Sequence, residues 1–196
     1  MDEWAIVIAS GPSFRVKDAQ ALRGAGKIIA INCAVFYVPW ADVLFAGDGV
    51  WWRHYGPKIT WFKGKRVSKT ALMPGIERWH GKGWARTGGN SGHMGIQHTV
   101  DEGHKNIVLL GFDQQIPKEG ENKNKIHCHG DHPIVDSKKR TNLGNGDGIK
   151  AWPRAMAATA NDLKRRGVRV VNLSRETALV CFERMTVEEF LGAMHG

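Results

Sequence analysis

The chain has 196 residues, with 28 Lys+Arg against 19 Asp+Glu and a formal charge of +9. Hydrophobic residues make up 42% and charged residues 24%, which argues against wholesale disorder. No apolar run approaches the roughly 18–20 residues of a membrane span, and the Met-Asp-Glu-Trp start does not read as a signal peptide. Cys33, Cys128 and Cys181 are odd in number and widely spaced, so they suggest no disulfide framework; a reducing cytoplasm is the expected setting. The positive balance points to an anionic partner: a nucleotide, a phosphorylated substrate or a nucleic acid.

The run Trp4 to Ala9 is short, apolar and rich in β-branched residues, and it breaks at Ser10-Gly11-Pro12-Ser13. It predicts a buried parallel strand followed by a turn. Phe14, Val16, Ala19 and Leu22 recur at near-helical spacing, with Ser13 as expected N-cap and Gly24 and Gly26 as stops. Lys27 to Asn32 is a second strand, completing a β-α-β unit. Ala41 to Ala46 predicts a third strand ending at Gly47-Asp48-Gly49, and Val50 to Tyr55 a short helix. Lys58 to Phe62, Arg66 to Ser68 and Thr70 to Met73 are expected as short strands and loops.

Thr87-Gly88-Gly89-Asn90-Ser91-Gly92 is a glycine-rich turn before a helix expected over His93 to Gly103. Asn106 to Gly111 is the clearest buried strand, closed by Phe112-Asp113. Residues 114–148 lack apolar periodicity and are expected to be a mobile active-site loop. A helix follows over Ile149 to Arg166, with Pro153 in its first turn. Val168 to Asn172 is a strand, and Thr186 caps a last helix whose first turn holds Glu188 and Glu189. This alternation predicts a single α/β domain: a Rossmann-like, mostly parallel sheet with helices on both faces.

In such folds ligands bind outside the C-terminal ends of the strands. That rule selects Ser10 to Ser13, Asn32, Asp48, Thr87 to Ser91 and Asp113. The Ser10–Ser13 turn offers backbone N–H groups to an anion, less one donor lost at Pro12. Neither the Walker pattern nor Gly-x-Gly-x-x-Gly is present. The turn at 87–92 suits a phosphate or ribose nest, and Asn32 and Asp48 suit a base and a ribose. The alternative for each is an ordinary turn or cap. His127-Cys128-His129-Gly130-Asp131-His132 concentrates reactive side chains. Its spacing matches no zinc finger and no second ligand pair exists elsewhere, so zinc ranks behind a general-base or substrate-contacting role. The six tryptophans from Trp40 to Trp84 read first as packing and second as stacking platforms.

The order Gly11-Pro12-Ser13, Asn32, Thr87 to Gly92, Leu109-Leu-Gly-Phe-Asp113 and Val168 to Ser174 resembles a set of Rossmann-like proteins. The set includes small bacterial sialyltransferases and archaeal hydroxymethylpterin diphosphokinase-like proteins. It is most similar to small bacteriophage and prophage proteins that share the His-x-His-Gly-Asp-His element. The resemblance implies a nucleotide or nucleotide-sugar donor contacted by Gly11, Ser13 and Asn32, with Asp48 and Thr87 to Ser91 in matching positions. It also implies a general base among His127, His129 and His132. Ala9 stands where the sialyltransferases carry the first glycine of their turn, and their tyrosine pair has no clear equivalent. The expected function is therefore a nucleotide-dependent, glycosyltransferase-like transferase with an unknown acceptor. The alternatives are an ATP- and magnesium-dependent pyrophosphokinase and a non-catalytic phage protein that binds a nucleotide or nucleic acid.

Overall fold

The computed structural model describes residues 3–70, 73–84, 90–130 and 146–195. Eight strands form one parallel sheet, as the alternating pattern predicts. They are β1 (Trp4–Ile8), β2 (Lys27–Ile31), β3 (Val43–Phe45), β4 (Lys65–Ser68), β5 (Glu77–Arg78), β6 (Asn106–Leu110), β7 (Arg169–Asn172) and β8 (Glu183–Arg184). Their order is β5-β4-β3-β2-β1-β6-β7-β8. The chain therefore steps outward from β1 to β5, then returns to lay β6 on the other side of β1. The register there is Trp4 opposite Asn106 through Ile8 opposite Leu110.

Right-handed crossovers place helices on opposite faces when the winding direction reverses. The helices are α1 (Val16–Ala21), α2 (Gly49–Tyr55), α3 (Ser91–Asp101), α4 (Gly146–Arg165) and α5 (Val187–His195). Alternate strand residues feed two cores. Ile6, Ile8, Ala30 and Leu44 pack with Leu22, Trp51, Trp52 and Phe190, under α1, α2 and α5. Ala5, Val7, Ile31 and Phe45 pack with Ile96, Met156 and Leu163, under α3 and α4. Burial on both faces explains why the central strands read as continuous apolar runs. No helix among the described residues is long and apolar enough to cross a membrane.

Several local expectations are corrected. Ser13 does not cap α1: the helix starts after Arg15, which makes no side-chain cap bond, and the Ser13 hydroxyl is bonded elsewhere. Residues 58–62 form no strand. A 3-10 turn over Gly56–Lys58 precedes Ile59 and Phe62, which are three apart and both buried, a spacing no strand produces. The expected strand at Thr70 to Met73 falls partly outside the described residues. Helix α4 begins at Gly146, so Pro153 lies inside it and removes one backbone donor there. Strands β5 and β8 have two exposed residues each, too few to leave a periodic signal. Thr186 does cap α5, in a reciprocal box: Glu189 N donates to its hydroxyl, and Thr186 N donates to the Glu189 carboxylate.

The tryptophans act largely as fasteners. Trp79 and Trp84 donate their indole N–H groups to the two oxygens of Asp101 at the end of α3, at 2.9 and 2.7 Å. Lys82 N donates to the same carboxylate at 3.1 Å. Replacing Asp101 by Ala strands these donors and is expected to cost about 2 kcal/mol. Equilibrium denaturation followed by tryptophan emission should show the lower midpoint.

Candidate functional site

The topological switch point lies between β1 and β6. Two hydrogen bonds extend their ladder beyond the strands: Ala9 N to Leu110 O at 2.8 Å and Gly11 N to Gly111 O at 2.9 Å. Chains this close exclude side chains. A Cβ on Gly11 would stand 2.3 Å from Asp113 Oδ1, and Gly111 has φ +72°, where a Cβ would stand 2.4 Å from Ala9 O. Beyond them Ser13 donates twice to Asp113, from N to Oδ2 at 2.6 Å and from Oγ to Oδ1 at 2.9 Å. Both residues are buried. Burial pushes the Asp113 carboxyl up to about 6, against the opposing pull of the Ser13 donors. Ser13 and Asp113, both selected from sequence as ligand contacts, thus bind each other and brace the turn.

The segment after β7 locks this brace. Phe112 N donates to Ser174 Oγ at 2.7 Å, Thr177 Oγ1 donates to Phe112 O at 2.7 Å, and Ala178 N donates to Asp113 O at 2.8 Å. Glu176 N donates to Ser13 Oγ at 3.2 Å. Arg175 holds the buried Asp18 carboxylate through two bonds of 2.7 and 2.8 Å. None of these partners was selected from sequence, because their roles depend on contacts more than fifty residues apart.

Two residues flank the brace, one on each neighbouring strand end. Asn32 follows β2 with φ +50°, and Gln114 lies four residues past β6 with φ +48°. A left-handed backbone is costly for residues other than glycine and concentrates at functional positions. In both, the side-chain amide oxygen is buried without a hydrogen-bond partner among the described residues. Native interiors rarely leave such groups unsatisfied. Asn32 was among the residues selected from sequence. Gln114 was not, although its position directly after Gly-Phe-Asp at a strand end is a usable signal.

The N-terminus of α3 closes the rim from the other side. Asn90 caps it, accepting from His93 N at 2.8 Å, and the Asn90 Nδ2 is buried without a hydrogen-bond partner among the described residues. Ser91 Oγ accepts from Gly47 N at 3.1 Å, which ties α3 to the end of β3. A Cβ on Gly92 would touch the Phe112 ring at 3.0 Å, so α3 also abuts the end of β6. Asp48 is exposed beside Gly47, and the surrounding protein raises its carboxyl above the usual range. Thr70 fixes this turn, donating to Gly47 O and accepting from Gly49 N, each at 2.9 Å. Thr87, Gly88 and Gly89 lie outside the described residues.

Of the long loop, residues 114–130 hold no helix or strand. Cys128 N donates to Ser10 O at 2.9 Å, which brings the segment carrying His127 and His129 onto the end of β1. The His127 and His129 rings stack at 5.0 Å with a 12° interplanar angle. Burial lowers the His129 pKa, so its imidazole is neutral near pH 7. Cys128 and Tyr37 share a side-chain hydrogen bond, and burial raises both. His132 lies outside the described residues. No group of three or more His, Cys, Asp or Glu placed to hold a metal occurs among the described residues.

These features define a doubly wound, all-parallel α/β protein with a polar rim at the β1–β6 switch point. Comparison with family models, with curated proteins and with solved structures returns no match.

Two outcomes follow from this geometry. Gly11→Ala is expected to destabilise by about 1–3 kcal/mol through overpacking against Asp113, read as a lower thermal midpoint. The pH dependence has a definite sign. His93 and His98 on α3 are buried, and desolvation lowers each from 6.5 to about 4. Their contribution is complete above 6.5 and is lost as pH falls towards 4. Asp113 opposes them: its carboxyl rises from 3.8 to about 6, so its contribution is complete below 3.8 and is lost as pH climbs through 6. Two histidines outweigh one carboxyl, so stability should rise between about pH 4 and 6.5. Thermal melts of His98→Gln should flatten that rise.

Proposed function

We propose that this chain is a nucleotide-dependent transferase, glycosyltransferase-like in its chemistry, with the nucleotide at the C-terminal ends of β1, β2 and β6. One observation carries the reading: strained Asn32 and Gln114 flank the switch point, each with a buried amide oxygen that has no hydrogen-bond partner among the described residues. Such acceptors match the amino and hydroxyl donors of a nucleoside. The Asn90 amide adds a donor on the same rim. The resemblance to Rossmann-like sialyltransferases, drawn from the motif order, supplies the reaction class.

In this reading His129 acts as general base. A neutral imidazole accepts the proton of an acceptor hydroxyl as that oxygen bonds to the transferred carbon. The bond from that carbon to the donor phosphate breaks, and the electron pair leaves with the phosphate. Lys118, Lys123 and Lys125, exposed in the loop, supply positive charge for the leaving group. His127 stacks on the base and steadies it.

The test uses the strain itself. Asn32→Gly and Gln114→Gly keep a left-handed backbone and remove the amide. Each apo variant should melt at or above the parent temperature, since about 1–3 kcal/mol of strain and a buried unsatisfied group disappear. A nucleotide or nucleotide sugar at a hundredfold excess over Kd should stabilise the parent by about 2.7 kcal/mol, and the glycine variants far less. His129→Ala should keep the nucleotide-induced shift and lose transfer by about a hundredfold or more. No shift with any common nucleotide or nucleotide sugar would overturn the reading. Magnesium-dependent release of AMP from ATP would instead select the pyrophosphokinase.

A further inference from the structure

Between Asp48 and Glu77 the chain carries no carboxylate and six cations: Arg53, Lys58, Lys63, Lys65, Arg66 and Lys69. The same region exposes apolar side chains. Phe36 is 40% exposed, Trp61 42% and Val50 51%. The Phe36 ring meets the buried Tyr55 ring at 5.7 Å and the Trp61 ring at 6.3 Å between centroids, so two exposed rings adjoin each other over a buried third. Lys58 Nζ stands 5.3 Å from the centre of the Tyr55 ring. The Trp61 indole N–H is already bonded to Lys58 O at 3.0 Å, which leaves its ring face as the means of contact.

An open cleft of about 640 Å³ adjoins these rings, lined by Thr60, Phe62, Lys63, Lys65, Arg66 and Glu77 among others. Its carboxylate is matched, since Glu77 pairs with Lys65 at 3.1 Å. Arg53 and Lys63 are exposed and form no ion pair among the described residues. Exposed aromatic rings beside unmatched cations call for a partner with flat apolar faces and repeating negative charge. Single-stranded nucleic acid has both. A duplex hides its base faces, and an anionic lipid surface has none to stack.

We propose that the exposed Phe36 and Trp61 rings, with Arg53, Lys58, Lys63 and the adjoining cleft, form a binding surface for single-stranded nucleic acid. Bases stack on Trp61 and Phe36 while phosphates run along the cations. The surface is built from the turn after β2, from α2 and from the segment that follows α2, and it does not rest on the nucleotide reading of the rim.

The experiment is fluorescence anisotropy of a labelled oligothymidylate about 20 nucleotides long, with tryptophan quenching read in parallel. The full chain should bind it in preference to a duplex of equal length. Affinity should fall about tenfold or more between about 50 and 200 mM salt. Trp61→Ala and Phe36→Ala, both at exposed positions, should each weaken binding about tenfold with the circular dichroism unchanged. Arg53→Glu with Lys63→Glu should weaken it further and flatten the salt dependence. Gln114→Gly, on a segment that contributes nothing to this surface, should bind the oligonucleotide like the parent, which separates the surface from the rim. Equal affinity for duplex, or loss through the charge variants with none through either aromatic variant, would overturn the proposal. So would binding to phosphatidylserine vesicles without binding to the oligonucleotide.

Discussion

The contact between Ser13 and Asp113 is the constraint on which the rim depends. It joins the turn after β1 to the turn after β6, a hundred residues apart in sequence, through one backbone and one hydroxyl donor. The contact forms only because Gly11 and Gly111 let the two chains run together beyond the strands. The switch point of an open parallel sheet normally leaves a crevice where the winding reverses. Here the turn after β1 is closed against the turn after β6 by an internal carboxylate, and the unsatisfied amide oxygens lie on its flanks.

Those flanks carry the features that folding alone does not explain. Left-handed Asn32 and Gln114 each combine backbone strain with an unsatisfied amide oxygen. Either cost would be offset by a hydrogen bond, but neither oxygen has such a partner among the described residues. Rigid surroundings are needed to hold such positions. The Ser13–Asp113 brace and the Ser174–Thr177 latch on Phe112 supply them. The segment carrying His127 and His129 meets the same structure through Cys128 N and Ser10 O, so this part of the long loop is anchored at the end of β1.

The tryptophans divide by environment. Trp51, Trp52 and Trp79 are buried, and Trp79 and Trp84 fasten their loop to Asp101, so in these the large apolar surface serves packing. Trp61 breaks the pattern: its N–H is satisfied locally while its ring stays at the surface among cations. Composition alone weighs all eight alike; exposure and neighbouring charge separate Trp61 from the fasteners.

The sequence by itself determined the parallel α/β class, because strands buried on both faces must be continuous apolar runs and those runs alternate with helical spacing. It also marked the rim, since Gly11, Asn32, Gly47 and Asp113 punctuate strand ends and strand ends converge in this architecture. It could not show that Ser13 belongs to Asp113 rather than to α1, because a serine before a helix reads as a cap whatever lies opposite. It could not find Gln114, whose meaning is a backbone angle and a missing partner. Two-residue strands such as β5 and β8 left no trace, because a period needs more residues than they contain. Local pattern reports which groups want burial or a partner; only the packed chain decides which partner each receives and which group is left without one.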